Sequence, residues 1–161
     1  QKVVDYVVET KQNQKIIMDL FCGTGTIGQI LSNNIPGAEV IGVDIIPQAI
    51  EDAKKNAERN SVTGLKFIAE DVGKFLQEYP QYKDNISTVV LDPPRAGIAP
   101  KTLKKVVQLN AARIVYVSCN PATQARDTEY ILNEGYHLKK LSFVDQFPHT
   151  SHVESIALFE K

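Results

Sequence analysis

Short apolar runs and helical stripes alternate along most of the chain. Runs rich in aliphatic residues fall at Ile16–Phe21, Glu39–Asp44, Leu65–Ala69, Thr88–Leu91 and Arg113–Val117, and each reads as a strand. Between them lie helical patterns. One runs from Thr26 to about Asn34 and stops at Pro36-Gly37. The next starts at Pro47 and carries Ala49, Ile50, Ala53 and Ala57 as its buried stripe to about Asn60. Val72–Tyr79 is a short helix followed by a polar loop, Pro80–Asn85. Leu103, Val106 and Val107 mark another helix, and Pro121 to Asn133 is the last, with Gly135 as its stop. Ahead of the first strand, Val3, Val4, Val7 and Val8 share one helical face and predict a lead-in helix. His137–Val144 and Val153–Phe159 read as two final strands with no helix between them.

The first, second, fourth and fifth strands are near-continuous apolar runs. That pattern implies burial on both faces, hence a parallel sheet between helix layers. The final two strands are expected to pair antiparallel. The fold class is therefore α/β, with a mostly parallel sheet and helices on both faces. At 161 residues the chain suits one domain, 1–161, with a real core. No run of about 18 apolar residues occurs, so no membrane helix is expected. The net charge of −1 gives no sign of a broad basic nucleic-acid surface. Two cysteines, Cys22 and Cys119, make no disulfide framework and fit a reducing compartment.

Candidate chemistry begins where the first strand ends. Asp19 precedes Gly23-Thr24-Gly25-Thr26-Ile27-Gly28, and a helix follows. Glycines so spaced after a strand allow a sharp turn and a close approach of backbone to ligand. The second strand ends in Asp44, where an acid that binds ribose hydroxyls is expected in nucleotide sites. Asp19 would repel a pyrophosphate at the helix start but would suit a cation. S-adenosylmethionine, a sulfonium without phosphate, is preferred to a dinucleotide on that ground.

Ligands of open α/β sheets bind outside the carboxyl ends of the strands. Five strands here end in Asp19, Asp44, Asp71, Asp92 and Cys119. Each has a plainer reading: Asp44 or Asp71 as a helix cap, Asp19 as a brace for the glycine loop. Asp92-Pro93-Pro94-Arg95 forms a rigid turn without proline amide donors. Cys119 precedes Asn120-Pro121, a favoured N-cap and first helical residue, so the thiol sits where a helix dipole favours thiolate. Cys22, inside the glycine loop, is expected to pack. Glu154 opens the last strand and suits a proton acceptor. His149 and His152 match no strong zinc spacing, and no metal is expected.

Together these segments resemble the RNA uracil-5-methyltransferase family, whose members make 5-methyluridine in tRNA and 23S rRNA. The matching stretches are DLFCGTGTIG (Asp19–Gly28), GVDI (Gly42–Ile45), LDPPRAG (Leu91–Gly97), SCNPATQARD (Ser118–Asp127) and FPHTSHVE (Phe147–Glu154). The resemblance implies a Rossmann-like S-adenosylmethionine-dependent methyltransferase fold. It implies Cys119 as nucleophile and Glu154 as general base. The cofactor would be held by Asp19, Phe21, Gly23, Gly25, Gly28, Asp44, Ile45, Asp71 and Asp92, and the RNA by Asp92, Pro93, Arg95 and Arg126. A cytoplasmic monomer is expected.

Family members in many cases carry an amino-terminal RNA-binding barrel and a central domain, and neither pattern is found here. This stretch is thus expected to be the catalytic domain, able to fold but methylating RNA poorly alone. Other readings are an RNA cytosine-5 methyltransferase, an amino-group methyltransferase, or a non-catalytic module that binds S-adenosylmethionine or RNA. The first usually has a cysteine after the proline of the fourth-strand motif, where Arg95 and its neighbours supply none. The second would need no Cys119, and the third neither Cys119 nor Glu154.

Overall fold

The computed structural model describes residues 2–8, 16–145 and 153–161. His149, His152 and most of the Phe147–Glu154 stretch lie outside them. The strands are β1 (Ile16–Leu20), β2 (Glu39–Asp44), β3 (Leu65–Ala69), β4 (Thr88–Leu91), β5 (Arg113–Ser118), β6 (His137–Val144) and β7 (Glu154–Glu160). The helices are α1 (Lys2–Val8), α2 (Thr26–Asn34), α3 (Pro47–Arg59), α4 (Val72–Glu78), α5 (Pro100–Gln108) and α6 (Pro121–Asn133).

The sheet order is β3-β2-β1-β4-β5-β7-β6. The first five strands in this order pair parallel, and β7 runs antiparallel to both β5 and β6. The order reverses between β1 and β4, which opens a crevice at their carboxyl ends.

Alternation along the strands sorts the core into two layers. Met18, Leu20, Ile41, Val43, Val89, Leu91, Ile114 and Tyr116 face α4, α5 and α6 and join Phe75, Leu103 and Ile131. Ile17, Val40, Val90, Val115 and Val117 face the other way, with Val4 and Val7 of α1 and Leu31 of α2. These strands are buried on both faces, which is why they read as continuous apolar runs.

Details differ from the sequence reading at a few points. Strand β1 stops at Leu20, because Phe21 takes a left-handed φ of 63° to start the glycine loop. In α1 the buried side chains are Val4, Tyr6 and Val7, while Val8 is exposed. Tyr6 turns inward in place of Val8, with its hydroxyl hydrogen-bonded to Ser142 Oγ at 2.5 Å. The polar loop after α4 contains a 3-10 turn at Pro80–Tyr82.

Candidate active site

The glycine loop is held by two backbone anchors and two carboxylates. Phe21 and Cys22 both donate their N–H to the carbonyl of Val43, at 2.9 and 3.1 Å. Asp44 accepts from Gly23 N at 2.8 Å with one oxygen and from Ile46 N at 2.9 Å with the other. Gly25 has φ 73°, and a Cβ there would lie 2.5 Å from the Phe67 ring. Only glycine fits that turn without moving the ring. Cys22 packs as expected. Its sulfur lies close under Gly42, and burial pushes its thiol well above the usual range.

Asp19 is placed differently from the expectation that it faces the ligand. It is fully buried beneath the loop, and one oxygen accepts from Gly28 N at 2.9 Å. The other oxygen has no partner among the described residues. Burial pushes its carboxyl up to about 7; the Gly28 bond opposes this, and the nearby charges of Asp92 and Asp44 add to it. Asp19 therefore braces α2 against β1, and a charge argument for a cationic ligand does not pass through it directly.

Outside the strand ends, a cleft of about 330 Å³ is lined by Phe21, Asp44, Ile45, Ile46, Asp71, Val72, Asp92 and Pro94. Acids alternate here with exposed aliphatic surface: Ile45 and Ile46 are 63% and 56% exposed. Asp71 also caps α4, accepting from Lys74 N at 2.9 Å. The cleft thus offers carboxylates beside flat apolar walls, as a polar sugar joined to a planar base requires. Gly23 and Gly25 do not line it; Gly25 caps the start of α2, and Gly28 lies within that helix.

A second cavity of about 480 Å³ lies between α1, α2 and the ends of β5 and β7. Asp92 and Glu154 line it together with Val117, Val144 and Ile156. Asp92 therefore borders both spaces. Protein packed behind its carboxyl, with the Glu154 charge adding, pushes it up to about 6.

The register of β5 and β7 decides where Cys119 stands. Arg113 pairs with Glu160, and the pairing runs on to Ser118 with Ser155. The ladder ends there, so Cys119 is the first residue beyond β5 and Glu154, the first residue of β7, stands just outside the last pair. Cys119 is half-buried, and the chain turns sharply around it. Ser118 Oγ accepts from Asn120 N and donates to Asn120 O, both at 3.0 Å. Asn120 Oδ1 then caps α6 by accepting from Ala122 N at 3.2 Å, with Pro121 at the first helical position.

Arg126 is also placed differently from expectation. Its guanidinium donates to Asp127 Oδ1 from Nε at 2.8 Å and from Nη2 at 2.7 Å, and it reaches the carbonyls of Ala96 and Ile98. It fastens the loop after β4 to α6 and is not an unengaged cation for RNA. Asp127, buried, also accepts from Ile98 N at 2.9 Å and from the Tyr116 hydroxyl at 2.7 Å. Asn120 and Thr123 side chains donate to the Arg95 carbonyl. The Pro93–Gly97 turn, with buried Pro93 and exposed Arg95, is thus tied to the segment that carries Cys119.

Asp127, Tyr116, Gln124 and Ser155 were not singled out from the sequence. A polar Ser155 at an inward position of an otherwise apolar strand was the available signal, and Asp127 is the last residue of SCNPATQARD.

The model of the tRNA (Uracil-5-)-methyltransferase family matches residues 1–161. The chain belongs to this family. Among relatives of this tRNA (uracil-5-)-methyltransferase family chain, an uncharacterised RNA methyltransferase of Clostridium acetobutylicum is 43% identical over 149 residues, covering 92% of the chain and 32% of the relative. The 23S rRNA (uracil(1939)-C(5))-methyltransferase RlmD of Salmonella typhimurium is 42% identical over 145 residues, covering 90% and 33%. The chain spans about a third of the length of these curated relatives. The crystal structure of Pyrococcus abyssi tRNA (uracil-54, C5)-methyltransferase in complex with S-adenosyl-L-homocysteine superposes with a TM-score of 0.81 at 35% identity, over 98% of this chain and 37% of that one. The fold is the Rossmann-like fold of S-adenosylmethionine-dependent methyltransferases. Among the described residues, no helix is long and apolar enough to cross a membrane.

Proposed function

We propose that this chain is the catalytic domain of a cytoplasmic enzyme that methylates C5 of a uridine in tRNA or 23S rRNA, using S-adenosylmethionine and a covalent bond from Cys119 to the base. The observation that supports this reading is the β5–β7 pairing, whose last pair, Ser118 and Ser155, adjoins Cys119 and Glu154 at the sheet end where Asp92 borders both the cleft and the second cavity. A binding module would need neither the thiol nor the carboxylate. An amino-group methyltransferase would not need Cys119.

S-adenosylmethionine supplies an electrophilic methyl group. Asp44 and Asp71 are suited to its polar ends and Ile45, Ile46 and Phe21 to its planar base, in the cleft that these residues line. The chain's own residues do the rest. C5 of uracil is a weak nucleophile. Addition of the Cys119 thiolate to C6 moves the C5–C6 electron pair onto an enolate and makes C5 nucleophilic. After C5 accepts the methyl group, the Glu154 carboxylate removes the C5 proton. That C–H electron pair restores the C5–C6 double bond as the C6–S bond breaks and the thiolate leaves. The target base must leave its stack to reach Cys119, at a cost of a few kcal/mol when it starts paired.

The test separates the two residues by the step at which each fails. With full-length protein, transcript and S-adenosylmethionine, Cys119→Ala is expected to give neither 5-methyluridine nor a covalent adduct. Glu154→Gln is expected to form an RNA-shifted band on denaturing gels and to release little product. A folded Cys119→Ala protein that still makes 5-methyluridine overturns the covalent role. Formation of 5-methylcytidine instead overturns the base assignment.

A further inference from the structure

We propose that Gln124 and Ser155 are positioning residues that hold the Glu154 strand in register against the Cys119 turn; this rests on the covalent reading above. Gln124 lies in the first turns of α6, yet the residue is only 5% exposed. Its Nε2 donates to the Tyr116 carbonyl on β5 at 2.9 Å and to the Ser155 carbonyl on β7 at 3.4 Å. Its Oε1 accepts from Ser155 Oγ at 2.6 Å, and that hydroxyl also reaches the Ser118 carbonyl at 3.2 Å. Ser155 is fully buried. One amide thus uses both donor hydrogens and its oxygen to join α6, β5 and β7, next to the two residues assigned to the chemistry. A buried amide satisfied in this way fixes one geometry, because any slip leaves polar atoms unpaired.

The two sides of the active pair share the Ser155 contact to the Ser118 carbonyl, but the Cys119 turn has further bonds of its own: Ser118 Oγ and the Asn120 cap fasten it without help from Gln124. Glu154 opens β7, and its neighbour Ser155 is the residue that the amide grips. Loss of the grip should therefore displace the carboxylate while leaving the thiol in place. Thiol attack and methyl transfer then continue, and proton removal slows. A change that merely loosened the fold would lower every step together.

The discriminating pair is Ser155→Thr and Ser155→Val in the full-length protein. Both enlarge the side chain equally, but only threonine keeps the hydroxyl. Adduct fraction on denaturing gels, kcat and KM for RNA are read with wild type and Glu154→Gln alongside. Ser155→Val is expected to accumulate adduct and to lose about 10- to 100-fold in kcat, as a small misplacement of a catalytic group does, with KM little changed. Ser155→Thr is expected to stay near wild type on both readouts. Should neither serine variant fold, Gln124→Leu is read instead and is expected to accumulate adduct. Equal behaviour of the threonine and valine proteins overturns the positioning role, as does Gln124→Leu without adduct. If Glu154→Gln itself fails to accumulate adduct, the covalent reading has failed, and the positioning role assigned on it falls with it.

Discussion

Asp127 is the most heavily used carboxylate near the candidate site, and its removal has a calculable cost. Asp127→Ala leaves the buried Ile98 N–H and the fully buried Tyr116 hydroxyl without acceptors. Each stranded buried donor costs ~1–3 kcal/mol. The Arg126 ion pair adds less than ~1 kcal/mol, since the Arg126 side chain is 55% exposed and water screens it. A loss of ~3–5 kcal/mol follows, a large part of the stability of a domain this size. Asp127→Asn keeps an oxygen for Ile98 and Tyr116 and gives up the guanidinium, so it should cost only ~1–2 kcal/mol. Urea unfolding of wild type and both variants, with the slope of the transition checked for constancy, measures the difference. An alanine variant within ~1 kcal/mol of wild type, or alanine and asparagine variants of equal stability, refutes the network as described.

Three further outcomes are expected. Asp19 has its folded carboxyl raised from the ordinary 3.8 to about 7, so the fold holds that proton more tightly than the unfolded chain does. Its contribution is therefore present at low pH and lost as pH rises from about 4 to 7, with a ceiling of ~4 kcal/mol; Asp19→Asn should flatten that slope in pH-dependent unfolding, and an unchanged slope counts against it. Gly25→Ala should destabilise by ~2–4 kcal/mol, from left-handed backbone plus the Phe67 clash, whereas Gly23→Ala, with open space at its Cβ, should cost only ~1 kcal/mol in thermal unfolding; equal losses refute the clash. Asp44→Ala should weaken S-adenosyl-L-homocysteine by ~1–3 kcal/mol in calorimetric titration, and unaltered affinity removes Asp44 from the cofactor site.

Most elements were legible because their signals are local. The Asn120-Pro121 pair announces the start of α6, and it caps that helix as its chemistry predicts. The continuous apolar runs announced buried strands, and β1, β4 and β5 are buried along nearly their whole length. What could not be read depends on partners far along the chain. Arg126 looks like a free cation until Asp127 folds back on Ile98, 29 residues earlier. Asp19 has the spacing of a ligand-facing acid, but the tight β1–α2 turn buries it under Gly28. Gln124 carries no local signal, because its partners, Tyr116 on β5 and Ser155 on β7, are brought to it by tertiary packing. Cys119 and Glu154 stand out by type and motif; that the last pair of β5 and β7 leaves them adjoining one end of the sheet depends on a pairing no local pattern shows.

Strand order also differs from the order in which the chain leaves the ribosome. β6 emerges before β7, yet among the described residues β7 is its sole neighbour in the sheet and also separates it from β5. Until β7 emerges, β5 has an open edge and β6 has nothing to pair with. β5 is thus paired on one side well before the strand that covers its other edge exists. Insertion of a late strand between two earlier ones closes this sheet edge and brings Glu154 to the end of β5 in a single event. A nascent chain that ends between β5 and β7 would therefore carry a bare strand edge, a natural target for chaperones.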